Sequence, residues 1–327
     1  MVANLTPAYE KADKRYREAT TDQERLEALQ EMLSTIPKHK ASEKMQADLK
    51  RRISQARKDA AKKGPSRGVV DLFHVPKSGA GQAVLVGMPN VGKSALVAVA
   101  TNAPVKVADY PFTTAVPAPG MWNFEGVQIQ LVDTPPLTAE HFAPGLMGTI
   151  RSADIVVVVI DMSTDPLEQT DAVLGLLAER GLTLKSVPQD QLDPLDNAVL
   201  PGLIAATKID RAEAGTLETY RELCGDRLEI IPVSAESGEG LDRLVKRLWE
   251  LLAEIRVYTK EPGKPADHER PYTLPVGSTL EDLAREIHRD LPELMTYARI
   301  WGDGRFEGQR VQKTEVLHDR DVVEIHQ

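Results

Sequence analysis

The sequence predicts an α/β fold: a P-loop domain with a mainly parallel sheet, a helical hairpin before it and a small mixed module after it. Three observations carry this. The stretch Val84–Leu96, VLVGMPNVGKSAL, sets Gly87, Gly92, Lys93 and Ser94 in the pattern G-x-x-x-x-G-K-[ST], between an apolar strand-like run and a helical one. Strand and helix patterns then alternate for some 170 residues, the signature of a parallel sheet covered on both faces. On either side of this region the rhythm changes.

In chain order, Thr21 and Glu24 have capping-box spacing ahead of Leu26, Leu29, Leu33 and Ile36, and Pro37 breaks the run. Ser42 opens a second helical pattern with Met45, Leu49, Ile53, Ala56 and Ala60 on one face. The two stripes pair as a hairpin over residues 1–66, closed by the linker Gly64-Pro65-Ser66. The central domain, 67–255, carries strands at 83–86, 127–133, 155–160, 203–207 and 228–233. Its helices fall near 94–100, 169–180, 212–224 and 240–254, with 186–202 as a polar connector. Beyond it, a helix capped by Ser278 and Glu281 and strands near 297–301 and 321–326 form a small mixed sheet in 256–327.

Composition bounds the function. At 42% hydrophobic and 27% charged over 327 residues, the chain is of ordinary globular type. Its longest strongly apolar run, Ile155–Ile160, is far short of a membrane span, and the first residues lack the apolar core of a signal peptide. The expectation is a cytoplasmic protein. Its single cysteine, Cys224, excludes an internal disulfide and suits a reducing compartment. The net charge of −9 is uneven: residues 38–63 hold ten Lys or Arg, Lys50, Arg51, Arg52, Arg57 and Lys58 among them, against three acids. A basic arm on an acidic body fits a polyanionic partner such as RNA, or a solvated helix face.

The loop Gly87-Met88-Pro89-Asn90-Val91-Gly92-Lys93-Ser94 lets backbone N–H groups curl around phosphate, with Lys93 and Ser94 serving the terminal phosphates and a magnesium ion. Four further segments follow in order. Phe112, Thr113 and Thr114 supply a threonine whose hydroxyl suits Mg²⁺ and whose N–H suits a γ-phosphate. Asp133, at a strand end, can hold a magnesium-bound water. Thr207, Lys208 and Asp210 form a Thr-Lys-x-Asp element whose carboxylate accepts from guanine N1–H and the 2-amino group, a donor pair that adenine lacks. Ser234 and Ala235 offer backbone N–H groups to guanine O6.

The runs GMPNVGKS and ADYPFTT, the basic segment IPKHKASEKMQADLKRRISQ and the C-terminal pieces YTKEPGKPADHERPY, IHRDL, YARIWG and DRDVVEI resemble the Obg superfamily of GTPases, nearest the branch of developmentally regulated GTP-binding proteins. The likeness runs from about residue 31 to the end. It implies that 256–327 is a TGS domain, a ubiquitin-like β-grasp module also found in threonyl-tRNA synthetases and stringent-response enzymes, and that the protein works with ribosomes or in translation. It further implies Ser94 and Thr114 as magnesium ligands, Lys208 and Asp210 as base readers, and Asn90 as the position at which several relatives recruit potassium. Two departures stand out. The D-x-x-G element reads Asp133-Thr134-Pro135-Pro136, and the glycine-rich segment after it is replaced by LTAEHFAPGLMGTIR, with the insertion usual in the middle of this branch's domain reduced or absent. Leu137 stands where many GTPases place a water-orienting glutamine, and His141 is a conceivable substitute.

Three function classes fit these residues: a slow GTPase regulating a ribosomal or RNA partner, a nucleotide-gated scaffold with little or no hydrolysis, and a P-loop metabolic enzyme. The third lacks a recognisable second-substrate site.

Overall fold

The structure, a computed structural model, describes residues 72–101, 116–140, 142–143 and 145–326, with scattered positions between 29 and 53. The chain divides into two compact units, residues 1–71 and 72–327. In the first, Leu29, Met32, Leu49 and Ile53 are helical and buried while Arg52 is helical and exposed, as amphipathic stripes require. The rest of the expected hairpin, including Thr21, Glu24, Lys50, Arg51, Arg57 and Lys58, lies outside the described residues.

The second unit opens with β1 (Gly81–Val86), followed by α1 (Lys93–Thr101), β2 (Ala118–Phe124), β3 (Val127–Asp133), α2 (Leu146–Ser152), β4 (Ile155–Asp161), α3 (Pro166–Glu179), β5 (Thr183–Lys185), β6 (Val199–Thr207), α4 (Thr216–Cys224), β7 (Ile230–Pro232) and α5 (Leu241–Leu252). The strands form one sheet in the order β2-β3-β1-β4-β6-β5, with β7 also on β6; only the β2–β3 pair is antiparallel. β1 and β4 are buried along their whole length, which is why GQAVLV and IVVVVID read as continuous apolar runs. Alternate residues feed opposite cores. Val84, Val86, Val156, Val158 and Ile204 pack with Leu146, Ile150, Val173 and Leu177 of α2 and α3. Ala83, Leu85, Val157, Val159 and Leu203 pack with Leu96, Leu244, Leu248 and Leu251 of α1 and α5.

Several expectations are corrected here. The region 186–202 is not all connector, since β6 begins at Val199 and pairs with β5 as well as β4. β2 was not foreseen. It is joined to β3 through Glu125 and Gly126, with φ of 47° and 86°, the positive values that a type I′ hairpin turn needs at both central positions. α4 begins only at Thr216, because Gly215 adopts φ 86° as its cap.

A second, five-stranded sheet starts at β8 (Glu254–Thr259), one residue beyond the left-handed cap Ala253 of α5. It continues with β9 (Tyr272–Pro275), α6 (Leu280–Ile287), α7 (Leu291–Leu294), β10 (Tyr297–Trp301), β11 (Gln309–Val311) and β12 (Asp321–His326), in the strand order β11-β10-β12-β8-β9. Leu280, Leu283 and Ala284 of α6 close its core on Val257, Ile300 and Val323. The cap of α6 is Thr279 with Asp282, not Ser278 with Glu281: Thr279 is the extended residue, and the two side chains reciprocally bond each other's backbone.

The two sheets meet at the β2–β3 turn. The Arg256 side chain, only 3% exposed, binds Glu125 and makes a forked contact to Asp319, with its Nη2 2.6 Å from Oδ2. Arg320 reaches the same Glu125 oxygen at 2.7 Å. The Arg256 guanidinium also lies 5.1 Å from the centre of the Trp249 ring, a cation–π geometry.

Nearby, Glu254 is half-buried, and desolvation, with the Asp154 charge, pushes its carboxyl up to about 7. A carboxyl whose folded pKa lies above its unfolded value of 4.5 contributes stability that is full below 4.5 and lost as pH rises through about 7. Thermal unfolding of wild type and Glu254→Gln should therefore give similar Tm at pH 5 and a higher Tm for the variant at pH 8. Parallel pH profiles for the two proteins would contradict this.

Candidate functional site

The site is built at the carboxyl ends of β1, β3, β4 and β6, the edge at which open α/β sheets bind ligands. After β1 the chain turns through Gly87 to Gly92 into α1. A Cβ on Gly87 would lie 2.5 Å from the Val159 carbonyl of β4, so this position must be glycine for the loop to pass. Gly92 has φ +94° and Asn90 φ 63°, two left-handed residues that curl the backbone before the helix starts at Lys93. The unpaired N–H groups and positive dipole end of α1 then face the loop's concavity, a ready anion site. Val91 is buried; Met88 and Pro89 are half-buried and Asn90 is exposed.

Lys93 is buried and its Nζ donates to the carbonyls of Gly87, at 3.1 Å, and Met88, at 2.9 Å. Desolvation lowers its pKa to about 8, with the Asp133 charge opposing. Ser94 Oγ donates to Asp133 Oδ2 at 2.5 Å, so the hydroxyl and the carboxylate expected around magnesium stand together at the ends of α1 and β3. Both are hard oxygen donors, the kind that Mg²⁺ takes alongside phosphate and water. Phe112, Thr113 and Thr114, with the magnesium and γ-phosphate roles expected of Thr114, lie outside the described residues, as does His141.

After Asp133, Thr134 Oγ1 donates to the Leu85 carbonyl at 2.6 Å and Pro135 is buried. Pro136 has no N–H. Leu137, fully buried, gives its own N–H to the Gly87 carbonyl at 3.0 Å. This segment is thus tied to the phosphate loop through Leu137.

The residues expected to read the base come from the end of β6 and the turns after β6 and β7. Thr207 Oγ1 lies 2.6 Å from the carbonyl of Val91 and 3.0 Å from that of Ile160, bridging the phosphate loop and β4. Lys208 is left-handed at φ 56°, and its Nζ donates to the Asn90 carbonyl at 2.8 Å and to Asp161 at 2.6 Å. Asp210 sits in a 3₁₀ turn, Ile209–Arg211. A hydrogen bond from the Ser234 hydroxyl is the largest influence holding its carboxyl below the usual range, with Arg211 adding its charge. Ser234 is fully buried, and its Oγ also accepts from the N–H groups of Glu236 and Ser237. One expectation changes: of the two amides expected to face guanine O6, that of Ser234 donates to the Glu239 carbonyl at 2.9 Å, while Ala235 is half-buried.

The structure therefore brings Gly87–Ser94, Asp133, Thr207, Lys208, Asp210, Ser234 and Ala235 to one edge. Asp161 was missed, because the apolar run that marked β4 stops one residue short of it. Its position at the carboxyl end of a buried strand was the available signal. Among the described residues no helix is long and apolar enough to cross a membrane.

The family described as 50S ribosome-binding GTPase matches residues 82–187, and the TGS domain family matches residues 255–327. An uncharacterised GTP-binding protein of Halobacterium salinarum is 29% identical over 364 residues, covering 93% of this chain and 98% of its own. The developmentally-regulated GTP-binding protein 1 of Xenopus laevis is 26% identical, covering 92% and 98%. Both alignments, of 364 and 360 positions, exceed the 327-residue length of this chain, so each relative carries segments that this chain lacks. The structure of the Schizosaccharomyces pombe YchF GTPase shares the fold, with a TM-score of 0.53 at 14% identity over 77% of this chain and 99% of that one.

Burial lowers the pKa of Lys93, and an anionic phosphate bound beside its Nζ would favour the charged ammonium. Nucleotide binding should then take up about half a proton at pH 8 and close to none at pH 7. Calorimetry in two buffers of different ionisation enthalpy measures this, and equal uptake at both pH values would contradict it.

Proposed function

We propose, from the premise that the chain is a GTP-binding protein with a P-loop GTPase domain and a TGS domain, that it is a nucleotide-dependent regulator that hydrolyses GTP slowly and acts on a ribosomal or RNA partner in the cytoplasm. The observation that supports the guanine reading most is the fastening of Thr207 and Lys208 to the backbone of Val91 and Asn90. It sets Asp210, anionic and oriented by Ser234, at a fixed offset from the phosphate loop.

In this reading the amides of Gly87–Lys93 and the Lys93 ammonium hold the phosphates, and Ser94, Thr114 and, through water, Asp133 are the residues that would hold a magnesium ion. A magnesium ion held there would supply neutralisation of phosphate charge. Asp210 reads N1–H and the 2-amino group, and Ala235 offers an N–H to O6. Asn90, left-handed and exposed, is the position for a potassium ion beside the phosphates. The basic segment around Lys50–Lys58 and the TGS domain form the partner-binding parts, the first through phosphate contacts.

Slow turnover is supported by Leu137, which is apolar, fully buried and bonded to Gly87, and so cannot orient water. The same feature favours the second reading, a nucleotide-gated scaffold with scarcely any hydrolysis. GTP turnover measured in potassium and in sodium, with and without purified ribosomes, separates the two. Stimulation by ribosomes supports the regulator; tight GTP binding without turnover under every condition supports the scaffold; no guanine-nucleotide binding overturns both.

Two substitutions test the site. Asp210→Asn removes two charge-assisted hydrogen bonds at about 1.5–3 kcal/mol each, so GTP affinity should fall roughly a hundredfold or more while xanthosine triphosphate binding improves. Competition binding reads this, and undiminished GTP affinity would remove Asp210 from the base site. Pro136→Gly restores an N–H where relatives of this type carry glycine. The preference for a non-hydrolysable GTP analogue over GDP should rise about tenfold, measured by calorimetry on both proteins. A wild type that already strongly prefers the analogue, with no gain in the variant, would show that another donor serves the γ-phosphate.

A further inference from the structure

The structure points to Asp161 as a positioning residue of the guanine site, acting through Lys208. This rests on the reading of Lys208 and Asp210 as base readers and deepens it. Asp161 ends β4 and is the register partner of Thr207 at the end of β6, so the two strands deliver it beside the base-reading turn. Its carboxylate is 9% exposed and fully engaged. Oδ2 accepts from Lys208 Nζ at 2.6 Å, and Oδ1 accepts from the Ser163 N–H at 2.8 Å and hydroxyl at 2.6 Å. Burial alone would raise this carboxyl, yet the bonds from Lys208 and Ser163 hold it below the usual range.

The backbone of Asp161 is fixed as tightly as its side chain. The amide side chain of Gln169 on α3 accepts from the Asp161 N–H at 2.9 Å and donates to its carbonyl at 3.0 Å, while also reaching Thr164 and Asp165. A carboxylate so engaged is not available as a base or a metal ligand. What it does control is Lys208, whose ammonium it holds at the end of β4 in a residue already held left-handed. With the ammonium fixed between Asp161 and the Asn90 carbonyl, the alkyl stem of Lys208 is set in one conformation beside the phosphate loop. The base then meets an ordered wall rather than a mobile chain, and the entropy of ordering that long side chain is not lost on binding.

The role is one of affinity and residence time, not of base identity, which belongs to Asp210. Asp161→Asn should speed GDP dissociation roughly ten- to hundredfold, the worth of one charge-assisted contact. The ratio of GDP to inosine diphosphate affinity should stay as in wild type, since inosine lacks only the 2-amino group. In a Lys208→Met background, Asp161→Asn should add little, because the group through which it acts is gone. Ser163→Ala, which loosens the carboxylate and leaves its charge, should give a smaller acceleration that also vanishes in the Lys208→Met background, and it serves where Asp161→Asn lowers Tm too far. Stopped-flow displacement of a fluorescent GDP measures all of these on the full chain. Additive effects of Asp161→Asn and Lys208→Met, or a changed guanine-to-inosine ratio, overturn this inference alone. A wild-type chain that binds no GDP overturns it together with the reading on which it rests.

Discussion

One hydroxyl ties the site together. Thr207 Oγ1 stands between the carbonyls of Val91 and Ile160, and so spans the phosphate loop, the end of β4 and the end of β6. A buried carbonyl must be paired, and a P-loop that curls away from its own strand has carbonyls that no sheet ladder can satisfy. The threonine at the end of β6 meets that demand. The lysine after it does the same for Asn90, so the segment proposed to read the base is registered against the P-loop to within a hydrogen bond. The offset between the Thr207–Asp210 turn and the P-loop is thus set by backbone satisfaction as much as by side-chain choice.

The region from Asp133 to Leu137 shows the reverse dependence. In place of a glycine free to swing, two prolines stiffen the chain, and the next available N–H, from Leu137, closes back on the Gly87 carbonyl. Thr134 adds a bond to Leu85. Each of these contacts is internal to the protein. The segment is held to the phosphate loop by groups that do not involve a ligand, which is the structural ground for expecting little change in it between nucleotide states.

Much of this was legible in the sequence, and the reasons differ by element. Buried parallel strands announce themselves as apolar runs, so β1, β3 and β4 were placed to within a residue or two; phosphate and base motifs carry fixed spacings. β2 was missed because APGMWNF is half-exposed and contains proline and glycine, as an edge strand tolerates. α2 was missed because its cap is a left-handed glycine, Gly145, rather than a side-chain cap, and it spans only Leu146–Ser152. The capping residue of α6 was misread by one position, since Ser278-Thr279 followed by Glu281-Asp282 offers two equally spaced boxes and only backbone conformation decides between them. Asp161 and the commitment of the Ser234 amide are tertiary facts. No local pattern encodes which carboxylate a lysine 47 residues away will meet.

The hairpin of β2 and β3 has a place in two neighbourhoods at once. Its open end pairs Ala118 with Asp133, on the rim of the phosphate site, and its closed end presents Glu125 to Arg256 and Arg320 of the TGS sheet. The ribbon between them is about 20 Å long, a stiff ladder of paired backbone rather than a loop. The C-terminal sheet is therefore not hung on the end of the chain by its linker alone. It is bolted, through Arg256 and Arg320, to the far end of the same two strands that carry Asp133 at their open end, so the position of that ribbon and the position of the C-terminal sheet are fixed together.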